Sequence, residues 1–123
     1  MTAYALSLLA AAILAVEGAP QGHHDGPLQI TAVMRQDYHR HTGRRVNVRS
    51  RDDSVRVLEW YAGHYCRGAD AWTIAARWNA GPDGDRQAHR KPRGRVADYA
   101  NRVENVFWSM AKRDLAYQER MLR

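Results

Sequence analysis

Apolar positions along this chain recur with a helical period and show almost no strand-like alternation. Residues 3–16 are apolar nearly without a break, and Thr2 stands before them as an N-cap. Glu17 closes the run, the one acidic residue in the first 24 positions, and Gly18-Ala19-Pro20 stops the helix. Residues 18–29, rich in Gly and Pro, read as a loop. A second helix is expected from Thr31 to Gly43, with Val33, Met34 and Tyr38 on one face. Arg44 to Arg51 is a basic connector in which Val46-Asn47-Val48 suits a short strand. Asp52 or Asp53 then caps a third helix through Val55, Leu58, Glu59, Ala62 and Cys66, stopped by Gly68. Asp70 caps a fourth, with Ile74, Ala75 and Trp78 inward, ended by Asn79-Ala80-Gly81-Pro82. Residues 83–95 are polar and turn-rich and read as a surface loop. The last helix runs from Val96 to Met121, with Tyr99, Val103, Val106, Phe107 and Met110 inward. Beyond Lys112 it turns polar and is expected to project. The fold class is therefore mainly α, five to six helices with at most a minimal β element, in one domain spanning residues 1–123.

Composition narrows the picture. At 123 residues, 45% apolar and with four Trp, the chain can bury a core. Nineteen Lys and Arg against thirteen Asp and Glu give a net charge of +6, which favours an anionic partner: nucleic acid, an acidic membrane face or bacterial cell wall. No aromatic-basic repeat or helix-turn-helix pattern supports nucleic acid. The single cysteine, Cys66, excludes an intrachain disulfide and reads as a small buried hydrophobe. Six histidines include His23-His24 and the pair His39 and His41, but no Cys or carboxylate joins them at ligand spacing, so no metal and no cofactor is expected. Trp60, Trp72 and Trp108 read as core. Residues 3–16 admit two readings, a buried core helix or an export signal. The lack of Lys or Arg before the apolar stretch favours the helix, and the run is shorter than the about 18 residues of a membrane span.

A carboxyl at the end of an apolar helix is poorly solvated, and its pKa should rise, as a general acid near neutral pH requires. Three further segments follow Glu17 in order: Gly26-Pro27-Leu28-Gln29-Ile30-Thr31, then Ala76-Arg77-Trp78-Asn79-Ala80-Gly81-Pro82, then Tyr99 with Val103. In this order, over roughly residues 10–110, the chain resembles the lysozyme-like superfamily, above all the lytic transglycosylases and goose-type lysozymes, with the invertebrate-type (destabilase-like) lysozymes close behind. Those families end a helix in the catalytic Glu, follow it with a Gly-x-x-Gln-Ile turn, and close the cleft with Asn-(Ala/Gly)-Gly-Pro. A later helix carries Tyr-x-x-x-Val. This chain departs in having Gly18 where Ser is common, Trp78 where Tyr is usual before the Asn, and a short loop after Glu17.

The resemblance implies a peptidoglycan-cleaving glycosidase acting on the β-1,4 bond between N-acetylmuramic acid and N-acetylglucosamine. Glu17 would be the acid and base. Gln29, Asn79, Gly81, Tyr99, Trp78 and His24 would hold substrate, the amides suiting an acetamido sugar. Glycosidases of two-carboxylate type need a second acid. Asp25 is the acidic residue in the loop, and Asp37, the next, falls on a helix and reads as a surface charge. Without either, the sugar's own 6-hydroxyl or N-acetyl group completes the reaction, the outcome favoured here. The expected partner is the glycan strand, met by a monomer in the periplasm or cell wall, with delivery by a phage virion, a holin or a secretion system and no stable membrane anchor. The rival is a non-catalytic lysozyme-like module that binds glycan or builds a virion. A basic membrane-anchored protein using residues 3–16 is a third reading.

Overall fold

The computed structural model of the chain describes residues 1–17, 26 and 28–122. It is all-helical: six helices and, among the described residues, no strand, so the short strand expected at 46–48 does not form. The helices are α1 (Ala3–Glu17), α2 (Ala32–Thr42), α3 (Arg51–Tyr65), α4 (Ala71–Ala80), α5 (Gly84–Arg90) and α6 (Arg95–Met121).

Local chemistry sets most boundaries. Thr2 Oγ1 accepts from the Ala5 amide at 3.1 Å, and Thr31 and Asp70 cap α2 and α4 in the same way through Met34 and Thr73. Gly43 ends α2 in the left-handed region at φ 71°. The α3 cap is Ser50 and not Asp52 or Asp53; its side chain accepts the Asp53 amide at 3.2 Å. Asp53 turns its carboxylate instead to the Asn47 amide at 2.9 Å, tying the connector to the helix.

Residues 83–95 hold a helix that their composition hides. Gly84 starts α5 so close to α4 that an added Cβ would lie 2.1 Å from the Ala76 carbonyl oxygen. Asp85 then grips Arg77 through Nε at 3.1 Å and Nη2 at 3.2 Å. That guanidinium holds the Asp85 carboxyl below the usual carboxylate range. Only Ala88 is apolar and buried on α5, so no stripe betrayed it.

The core lies where α1, α3 and α4 meet α6, with Leu9, Ile13, Leu58, Ile74 and Val103 fully enclosed. Helix α1 runs antiparallel to α6: the Tyr4 hydroxyl donates to Asp114 at one end and Tyr99 meets Glu17 at the other. Cys66 is buried as expected, and burial pushes its thiol pKa up. Trp108, expected in the core, is 56% exposed instead, because it falls on the flank of α6 away from the buried stripe. Trp60 and Trp72 are half-buried at its margin. Among the described residues, no helix is long and apolar enough to cross a membrane, which leaves no span to residues 3–16.

Candidate functional site

Glu17 is the last residue of α1 and is half-buried. The hydroxyl of Tyr99, 82 positions later, donates to its Oε1 at 2.9 Å. Tyr99 sits in the first turns of α6 and is itself buried. Burial above all, then the negative charge of Glu17 and the hydrogen bond to it, push the Tyr99 pKa well up. Its proton therefore stays on the phenol near neutral pH, and Tyr99 acts as a fixed donor that limits where the carboxyl can point.

The turn at residues 26–30 is held from several sides. Gly26 has φ 74°, and a Cβ there would fall 1.9 Å from the Val48 carbonyl oxygen, so glycine alone fits. The Gln29 amide and its side-chain Nε2 both donate to the Gly26 carbonyl, at 3.1 and 3.2 Å. Gln29 itself has φ 58°, the one positive value among described non-glycine residues. Backbone of this kind costs on the order of 1–3 kcal/mol and is retained where the surroundings over-determine it. Here the surroundings are Leu28 and Ile30, both fully buried on either side. In addition, Arg35 donates to the Ile30 carbonyl at 2.8 Å.

Helix α4 supplies the remaining wall. The Trp78 indole N–H reaches the Leu28 carbonyl at 3.1 Å, clamping the turn to the helix. Trp78 is only 7% exposed, so it supports the turn from beneath and does not offer its face to a sugar as expected. Its neighbour Asn79 has a fully buried Oδ1 with no hydrogen-bond partner among the described residues. An unmet buried acceptor costs about 1–3 kcal/mol, and a ligand N–H, such as that of an acetamido group, would satisfy it. Gly81 ends α4 at φ 92°, its amide donating to the Arg77 carbonyl at 2.8 Å.

The fold thus brings Tyr99 to Glu17, and the Gln29 turn to the Trp78–Gly81 end of α4, with α1 and α4 both packed on α6. Asp25 and His24 lie outside the described residues. Asp37 is not the free surface charge its sequence position suggested. It accepts from the Tyr65 hydroxyl and from Arg40 Nη2 at 2.9 Å, and these donors hold its carboxyl below the usual range. His41 stands 3.3 Å from the same carboxylate. Asp37 lies in a groove of about 390 Å³ between α2, α3 and the Gly81-Pro82 turn. The pairing of Asp37 with Tyr65 joins residues 28 positions apart, so only the spacing of Trp60, Tyr61, His64 and Tyr65 on α3 hinted at an aromatic face. Among the described residues, no three His, Cys, Asp or Glu side chains gather as a metal site. Compared with known proteins, the chain matches no family model, no curated sequence and no solved structure.

Proposed function

We propose that this chain is a peptidoglycan-cleaving glycosidase that breaks the β-1,4 bond between N-acetylmuramic acid and N-acetylglucosamine, with Glu17 as general acid and then base. The observation that carries the reading is the Tyr99 hydroxyl on Glu17 Oε1, which fixes a helix-end carboxyl in one direction. Glycosidic cleavage needs an acid to protonate the leaving oxygen as positive charge develops at the anomeric carbon. Glu17 gives that proton. In the second half it takes one back, either from water or from the 6-hydroxyl of the muramic ring as that oxygen bonds to the anomeric carbon. The second course yields a 1,6-anhydro end and needs no second carboxylate. It is the favoured course because Asp37 is engaged by Tyr65 and Arg40. Asn79 Oδ1 accepts the acetamido N–H, and the Gln29 and Gly81 backbone shapes the adjoining wall. The net charge of +6 favours approach to an anionic wall. The site of action is the periplasm or cell wall, reached with a virion, a holin or a secretion system, and the working unit is a monomer.

Release of soluble muropeptides from purified peptidoglycan tests this. Wild type should release them, and Glu17→Gln should lose about 10²- to 10⁴-fold in rate, the usual contribution of a positioned acid. Mass spectrometry of the products should show 1,6-anhydromuramic ends. A wild-type protein that binds wall but releases nothing soluble would leave only a glycan-binding module.

A further inference from the structure

The groove beside Gly81 is not used by the chemistry above. It shares Gly81 with that site, so a substrate lying across Gly81 extends into it without leaving the surface. Its walls are of two kinds. Val33, Met34, Trp60 and Pro82 make it apolar, while Asp37, Arg40 and Arg77 set two guanidinium groups against one carboxylate.

A sugar ring prefers an open, flat aromatic face, and Trp60 does not present one freely. The His64 ring stacks on it at 5.3 Å and 15°, and Tyr38 and Tyr65 stand edge-on to it at 5.4 and 5.7 Å. Aliphatic walls and charges of both signs offer little to a neutral glycan. They suit amino-acid side chains and carboxylates. Arg40 is the exposed cation of the groove. Its side chain is 75% accessible, and the bond to Asp37 anchors one edge of the guanidinium while leaving it open to a second carboxylate. The Tyr65 hydroxyl secures Asp37 from the opposite wall, so the cation is held at the rim.

We infer that this groove receives the peptide stem carried by the muramic residue, a stem carboxylate meeting Arg40 and its side chains lying against Met34 and Trp60. The inference rests on the glycosidase reading for the source of the peptide. Arg40 is a positioning residue here, and the reaction itself stays with Glu17.

The test compares peptidoglycan bearing its stems with the same glycan after an amidase has removed them. For wild type, kcat/KM should be higher on stem-bearing strands. Arg40→Glu should lower the ratio of the two values about tenfold, the equivalent of one charge-assisted hydrogen bond, and Arg40→Lys should keep most of it. An unchanged ratio in Arg40→Glu overturns the proposal. So does an equal fall on both substrates, which would make the groove a sugar site. Co-sedimentation of the Glu17→Gln protein with the two walls, with and without Arg40→Glu, reads the same ratio without turnover. If wild type cleaves neither wall, the glycosidase reading falls, and the co-sedimentation ratio still decides the groove.

Discussion

The two ends of α6 are built from the same kind of sequence and have opposite fates. In its first half, Ala97, Tyr99, Ala100, Val103 and Phe107 are all buried, and Tyr99 delivers a hydroxyl to Glu17. In its last turns, Leu115, Tyr117, Met121 and Leu122 keep apolar side chains at comparable spacing, yet all are exposed. The difference is what lies opposite. Helices α1 and α4 cover the first half, whereas Tyr4 on Asp114 marks the last tie from α1. A periodic stripe therefore defines a face of a helix but does not say whether anything covers it. The functional candidates all belong to the covered end.

That contrast can be strained at three points. The largest effect is expected at the turn. Gly26→Ala must place a Cβ against the Val48 carbonyl at a positive φ, and should cost on the order of 3 kcal/mol in denaturant unfolding. A loss below about 0.5 kcal/mol would show that the turn gives way readily and does not pin Gln29.

Tyr99→Phe comes next. It leaves the packing of α6 intact and removes one hydrogen bond to a carboxylate, with an expected loss of about tenfold in muropeptide release. Unaltered turnover in a folded Tyr99→Phe protein would detach Tyr99 from the chemistry of Glu17 and leave it a core residue.

The smallest effect is expected at the far end. Leu115→Ala should change stability by no more than about 0.5 kcal/mol, as for other exposed positions. A thermal-unfolding loss of 2 kcal/mol or more, the scale of a buried Leu truncation at about 2–5 kcal/mol, would mean that the projecting stripe is covered in solution and would erase the contrast.

Where local chemistry decides, the chain can be read directly. Thr2, Thr31 and Asp70 act as caps, Gly43 ends α2, and the stripe of Tyr99, Val103 and Phe107 turns inward, all by interactions reaching no more than a few residues. The α3 cap shifted to Ser50 because Asp53 had a competing partner in Asn47, a choice made by the connector's path. Helix α5 could not be read, since a seven-residue helix with one buried apolar side chain has no periodic signature. Its existence depends on Gly84 nesting on Ala76 and on Asp85 gripping Arg77.

The site divides in the same way. Glu17 at the end of an apolar helix, Gly26 in a turn and Asn79 before a helix stop were visible in the sequence because each is marked by its immediate neighbours. The partnership of Tyr99 with Glu17, the support that Trp78 gives to Leu28, and the pairing of Tyr65 with Asp37 were decided only by tertiary structure. Those contacts span 82, 50 and 28 positions, and no local propensity encodes which distant donor will meet which acceptor once the helices have packed.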